Sequence, residues 1–374
     1  MSERDNSWDT LRAFLMLLGI PFHAALPYSV GANTVVLSDD PSLTAEIIGN
    51  LLHSFRMGAF FVIAGYFSAL AIDRKGASAW WAARWRNLLI PLVVSVICFI
   101  PLLLLIRALD MAEGGPQTDD IFAVLLQVPG EHWTGHLWFL IVLLELCLIT
   151  ALAWRFLRPR LVALGDQLAG QPLLLLAVFI VPVVLVPRII LSLTPFDDGA
   201  IGTVLNIRRL AEYTPYFVLG LGLTLSPSLL AQFSLLRPSV GLAAMACCLA
   251  YAGFDYLGLP TPAIAAKAAA GVLMCSLLLG VARRFFAGPR PAIRWLVQAA
   301  FTIYLFHFPI VVIGAYWFEA GNLPSELRFV LIVLATLAVS CLVHLMVSRS
   351  NLLLLLFNGR PMRAVSTRIE AKTA

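Results

Sequence analysis

The chain has 374 residues, of which 60% are hydrophobic and 13% charged, against about 45–50% and about 25% in soluble domains; its mean hydropathy is +0.89. That composition excludes a water-soluble enzyme, a disordered chain, a coiled coil and a small disulfide scaffold. The net charge of +5 is not a nucleic-acid signal, because the basic residues are confined to alternate connections between apolar runs and therefore read as membrane topology.

A spanning helix needs about 20 mostly apolar residues. Ten stretches qualify, at about 11–30, 46–72, 88–108, 134–154, 172–193, 208–226, 239–257, 263–282, 296–318 and 326–347. The second is long enough to tilt or to continue into an interfacial turn. The fifth holds Pro182 and Pro187, which predicts a kink, and the sixth opens on Arg208 and Arg209. With the amino terminus inside, the inside segments carry Arg4, Arg74, Lys75, Arg84, Arg86, Arg155, Arg158, Arg160, Arg237, Arg283, Arg284, Arg290, Arg294 and Arg349, and then the basic tail. The outside connections, about 31–45, 109–133, 194–207, 258–262 and 319–325, carry no Lys or Arg but hold Asp39, Asp40, Asp110, Glu113, Asp119, Asp120, Glu131, Asp197, Asp198 and Glu319. The expectation is an all-α polytopic integral membrane protein of about ten transmembrane helices with both termini cytoplasmic. It forms one domain over 1–374, with a core of about 8–347 and a basic cytoplasmic tail at 348–374. The weakly basic start and the charged Asp9 and Arg12 argue against a cleaved signal peptide. All six cysteines fall in apolar runs with no CxxC pair and read as small buried hydrophobes. No internal repeat is evident, which weakens a transporter of paired halves.

Ionisable residues inside spans are costly and by default mark function. In the first run, Arg12 and His23 are 11 residues apart, on one helix face and roughly 16 Å apart along the axis. Asp9, one turn before Arg12, is placed to hold its guanidinium. Arg12 reads either as a functional cation or as a snorkelling anchor, and His23 either as a base or as a hydrogen-bonded core histidine. In the second run His53 and Arg56 share a face; so deep an arginine pairs with a carboxylate or lines a wet cavity. Gly65 reads as a close helix contact. The stretch from Trp80 to Asn87, with Arg84 and Arg86, is a basic inside loop that reads either as an interfacial anchor or as an anion site for a phosphate-rich ligand. Trp133, His136 and Trp138 open the fourth run among aromatic neighbours, suited to stacking sugar rings or to sitting at lipid headgroups. His132 and His136 have i, i+4 spacing but no evident third ligand, so no metal is expected. Tyr304 and His307 lie one turn apart in the ninth run, as chemistry or as structure. Arg188, Arg208 and Arg209 lie toward the outside, where they would neutralise an anionic ligand, bind lipid phosphate, or pair with Asp197 and Asp198. There is no Walker A sequence, dinucleotide fingerprint, GxSxG elbow or haem motif.

Five elements in order over about residues 8–310 resemble the acyltransferase-3 family of polytopic membrane acyltransferases. They are Trp8-Asp9-Thr10-Leu11-Arg12 with His23, the run from Phe60 to Tyr66, the basic stretch ahead of Pro91, Leu137-Trp138-Phe139-Leu140, and Tyr304 to Pro309. The stretches from Phe14 to His23 and from His53 to Met57 look like the glucan-biosynthesis branch of that family. One departure is visible: the family loop often reads RxxR with its second Arg four residues before the proline, and here Asn87 stands at that second place, with Arg86 beside it.

What this resemblance implies is a bacterial inner-membrane enzyme that transfers succinyl groups from cytoplasmic succinyl-CoA, a co-substrate rather than a resident cofactor, to hydroxyls of osmoregulated periplasmic glucans. Other glucan-biosynthesis proteins are further candidate partners. Arg12 with Asp9, Arg84 and Arg86 would hold the CoA phosphates, and His23 would act as general base unless a transient acyl-enzyme forms. Arg56, His53, Tyr304 or His307 would face the oxyanion. Arg56, or Arg208 and Arg209, would meet the succinyl carboxylate, and Trp133, His136 and Trp138 the glycan. The competing expectations are an O-acetyltransferase of another surface polysaccharide and a transporter or flippase of an anionic glycan or lipid.

Overall fold

The computed structural model describes residues 6–30, 32, 34–112, 134–194, 204–288, 290–319 and 321–360. Trp133, Glu131, His132, Asp197, Asp198 and the tail beyond Arg360 lie outside the described residues. No strand occurs among the described residues, and the chain is an all-α polytopic membrane protein. The helices are α1 (Ser7–Leu17), α2 (Gly19–Ala25), α3 (Leu43–Lys75), α4 (Ala77–Ala112), α5 (Trp138–Leu168), α6 (Leu173–Ser192), α7 (Ile207–Leu225), α8 (Pro227–Phe233), α9 (Pro238–Tyr256), α10 (Pro260–Phe285), α11 (Pro291–Glu319), α12 (Ser325–Arg349) and α13 (Asn351–Asn358). Two 3-10 turns, Leu26–Tyr28 and Gly135–Leu137, follow α2 and precede α5.

Nine spans among the described residues are long and apolar enough to cross a membrane, α1 and α2 counting together; α7 and α8, bent by 115° at Ser226, make a tenth if the pair is counted as one broken span. α7 carries Arg208, Arg209 and Glu212 in its first two turns. Two faces are defined by contacts between distant segments. Asn6 donates to the Ala287 carbonyl, Arg158 pairs with Asp73, Ser226 donates to Asp166, and Gly359 sits on Asn87. These define a basic face, where the described chain both begins and ends. On the far face Arg328 pairs with Glu319 (2.7 Å) and Asp40 (3.2 Å), while Ser42 donates to Glu326.

Several local expectations are corrected. The Trp80–Asn87 stretch is helix, not loop: α4 has 36 residues, about 54 Å at 1.5 Å per residue, so its basic first turns project beyond a hydrocarbon core of about 30 Å. α5 likewise carries Arg155, Arg158 and Arg160 on a helical extension. The first span is broken at Leu18, between α1 and α2. The tail begins as helix α13. The cysteines are all free, and Cys98 is exposed rather than buried.

α3 is the most buried span and packs against α7, α10, α9 and α2, while α11 packs on α1, α2 and α12. Glycine sets the α3–α7 contact. A Cβ on Gly65 would lie 2.0 Å from the Phe217 carbonyl oxygen, and one on Gly220 would lie 1.9 Å from the Val62 oxygen. The two backbones therefore touch, as small residues allow between membrane helices. Between α3 and α10, the Tyr216 ring fills the space beside Gly58 and Gly271 and donates to the Ala268 carbonyl.

Candidate active site

These contacts hold the ionisable residues of α3, α7 and α10 at one level. Arg56 is nine residues before Gly65, and Glu212 is eight before Gly220. Lys267, one turn before Gly271, reaches Glu212 (3.0 Å) and His53 Nε2 (3.1 Å). Arg188 of α6 holds the other oxygen of Glu212. The Lys267 ammonium has no lone pair to offer, so His53 accepts at Nε2 and carries its proton on Nδ1.

Around this network lies a cavity of about 320 Å³, the far cavity, lined by His23, His53, Arg56, His136, Trp138, Arg188, Arg208, Arg209, Glu212 and Lys267 with apolar neighbours. Arg56 lies over the Phe22 ring at 4.4 Å, and Arg209 over Trp138 at 4.2 Å. Five of the described lining residues are cations and one is a carboxylate. In a site with low-dielectric walls such an excess favours an anionic guest.

Three imidazoles meet beside it. Ring centroids of His23 lie 5.1 Å from His307 and 6.4 Å from His136, and those of His136 and His307 are 5.5 Å apart. Their tautomers follow from backbone chemistry. Pro309 has no N–H, so the Leu305 carbonyl loses its i+4 donor; His136 Nε2–H fills that place at 3.1 Å. His307 Nδ1–H donates to the Tyr304 carbonyl at 2.6 Å. Each ring thus keeps a lone pair on its other nitrogen, His136 Nδ1 and His307 Nε2, and both are buried without a hydrogen-bond partner. The Tyr304 hydroxyl donates to the His136 carbonyl at 2.8 Å, so its single proton is committed to holding His136. Gly19, at the break in the first span, makes room for the cluster. A Cβ there would lie 2.9 Å from Arg56 Nη1 and 3.2 Å from His307 Nε2.

A second cavity of about 260 Å³ opens toward the basic face. It is lined by Arg12, Arg84 and Arg360 with Asn87, Gln298, Asn358 and apolar side chains, and by no acidic residue among those described. Arg12 is held by Asp9 at 3.3 Å, and Trp8 fixes the start of α1 by stacking on Tyr66 at 3.9 Å. Arg86 does not line this cavity. Between the two cavities lies a waist of about 30 Å³ lined by Leu15, Met16, Arg56, Met57, Phe60, Phe139 and Tyr304. It shares Arg56, Met57 and Phe139 with the far cavity, and Met16, Phe60 and Phe139 with the basic-face cavity. Arg12 and His23 therefore open onto opposite sides of one waist.

The acyltransferase domain model of the acyltransferase-3 family matches residues 5–345. The chain belongs to this acyltransferase family. Glucans biosynthesis protein C of Escherichia coli strain SMS-3-5 is 27% identical to it over 395 aligned residues, covering 96% of each chain. The protein of the same name from strain O6:K15:H31 is 26% identical over 381 residues, again covering 96% of each. No solved structure matches. A membrane acyltransferase needs a base, an oxyanion donor and a place for two substrates, and the cavities supply residues of each kind.

The structure brings His23, His53, Arg56, His136, Trp138, Arg208 and Arg209 to the far cavity, Arg12 and Arg84 to the basic-face one and Tyr304 to the waist; sequence reasoning named these residues without grouping them. It missed Glu212, Lys267 and Arg360. The rule that flagged Arg56, an ionisable residue within a span, applies equally to Glu212 and Lys267. For Arg360 no local signal exists.

Proposed function

We propose that this acyltransferase moves succinyl groups from cytoplasmic succinyl-CoA to hydroxyls of osmoregulated periplasmic glucans, across the bacterial inner membrane, with the basic face cytoplasmic. The observation that carries the reading is the pair of cavities meeting at one waist. Arg12 and Arg84 stand where CoA phosphates would bind, and His23 stands beyond the waist. A gap of about 30 Å³ holds roughly two water-sized groups, enough for an unbranched chain and too little for a nucleotide. The pantetheine arm would thread past Met16, Phe60 and Phe139 while the nucleotide stays behind.

His23, as neutral imidazole, would take the proton of a glucosyl hydroxyl as its oxygen bonds to the thioester carbonyl carbon. The Arg56 guanidinium would face the oxyanion. Collapse would break the C–S bond, and the thiolate of CoA would take the proton back from His23. The cationic excess of the far cavity supports a donor whose acyl group carries a free carboxylate; acetyl has none. His136 and His307 would hold the shape of the pocket around His23.

The test compares periplasmic glucans by anion exchange from cells lacking the protein, complemented cells, and cells carrying His23→Ala. Succinylated, anionic glucans are expected only with the intact protein, with succinate released by mild alkali. Glucans unchanged in all three, with protein present in the membrane, would overturn the acceptor. Movement of intact substrate without release of CoA thiol would favour transport instead.

A further inference from the structure

The basic-face cavity contains a cation that no helix of the crossing bundle supplies. Arg360 follows α13, and α13 is locked to the bundle at three points. Phe357 packs between Phe99 and Phe306, with ring centroids at 6.4 and 4.8 Å. Asn358 Nδ2 donates to Thr302 Oγ1 at 3.3 Å. Gly359 presses its backbone onto α4, where a Cβ would lie 2.4 Å from Asn87 Cα. Gly359 has φ +61, and the Arg360 N–H closes back on the Leu354 carbonyl at 3.3 Å, the six-residue closure that ends a helix at a left-handed glycine. This turn carries Arg360 into the cavity wall with Arg12 and Arg84.

Asn87 is the residue that makes the docking possible. With its amide turned so that the nitrogen faces the two carbonyls, it donates to Gly359 at 2.8 Å and to Ala83 at 3.2 Å. It stands at the place where the family loop often has a second arginine. A short side chain there admits the Gly359 turn, and the turn delivers a guanidinium to the same cavity.

We propose that Arg360 is a phosphate-binding residue of the acyl-CoA site, supplied by the chain's own C-terminal segment. The proposal rests on the acyl-CoA reading above. Three guanidiniums, Arg12, Arg84 and Arg360, suit a ligand with several phosphate groups, each able to accept paired N–H donors. The ligand chemistry is the phosphorylated nucleotide end of the donor, not its acyl end.

The test is equilibrium binding of succinyl-CoA and of S-succinyl-pantetheine, which lacks the phosphates, to the purified full-length protein. Arg360→Ala is expected to weaken succinyl-CoA binding about tenfold, the order of one charge-assisted hydrogen-bonded pair, and to leave S-succinyl-pantetheine unchanged. Asn87→Arg combined with Arg360→Ala is expected to regain most of the loss. Unchanged succinyl-CoA affinity in Arg360→Ala would overturn the proposal, as would equal losses for both ligands, which would mark a structural role. If the wild-type protein binds neither succinyl-CoA nor acetyl-CoA, the acyl-CoA reading itself fails. If it binds acetyl-CoA alone, only the acyl group is misassigned, and acetyl-CoA replaces succinyl-CoA in the Arg360 comparison.

Discussion

Glu212 compensates two cations at once, and that makes it the sensitive member of its network. With 5% of its surface exposed, it accepts from Lys267 and Arg188 while Arg56, Arg208 and Arg209 line the same cavity. Glu212→Gln leaves two partly exposed cations, Lys267 and Arg188, without their shared carboxylate, an expected loss of about 2–3 kcal/mol, below that of a fully buried pair because solvent reaches both. Lys267→Met leaves Glu212 still paired with Arg188, and the expected cost is below about 2 kcal/mol. Thermal unfolding in detergent checks the order: Glu212→Gln should have the lower midpoint, and the reverse order would show that solvent in the cavity screens the stranded cations. The histidines teach the related lesson that residue type alone does not assign a role. His53 Nε2 is occupied by Lys267 and the Tyr304 proton by the His136 carbonyl, so neither of those groups is available to substrate, while His23 retains an uncommitted place on the cavity.

At the scale of elements, the site is aimed by helix contacts made of glycine. The α3–α7 pair sets the rotation of α3, and thereby the direction of Arg56 and His53. Gly65→Val places a branched side chain against the Phe217 carbonyl, where even a Cβ would be 2.0 Å away, and no rotamer relieves a clash with backbone. The expected loss is about 3 kcal/mol or more, read as a lower unfolding midpoint together with lost acyl transfer. Gly253→Ala in α9 is the control, because nothing lies within 4 Å of a Cβ there; it should be neutral or stabilising by up to about 1 kcal/mol. Proline acts on a second element in a way the apolar pattern does not announce. Pro309 was legible as a helix-interior proline, but its consequence, the docking of His136 onto the freed Leu305 carbonyl, needs a residue from a different span.

At the scale of the whole molecule, the proposed transfer depends on two cavities that meet at one waist. Met16 borders both the waist and the basic-face cavity. Met16→Trp should fill the gap, lower acyl transfer at least a hundredfold (about 2.7 kcal/mol of barrier) and leave binding of the nucleotide end alone, probed with adenosine 3′,5′-bisphosphate, within about twofold; turnover and equilibrium binding on the same preparation separate the two, and lost nucleotide binding would place the nucleotide deeper than the basic-face cavity. The sequence by itself determined the long apolar helices and the residues worth watching in α1, α3 and α11, because transfer of a segment into lipid is a local property summed over about 20 residues. It also carried the ordered motifs by which Arg12 and His23 were paired as one site. Only the tertiary structure decided that these two open onto opposite sides of a waist and that Glu212, Lys267 and Arg188 form one network. The same is true of Arg360 entering a cavity begun by Arg12. The physical reason is that those facts depend on how each helix is rotated about its axis and which backbone it touches. Hydropathy is indifferent to both, whereas close contacts such as those at Gly65, Gly220 and Gly359 fix them.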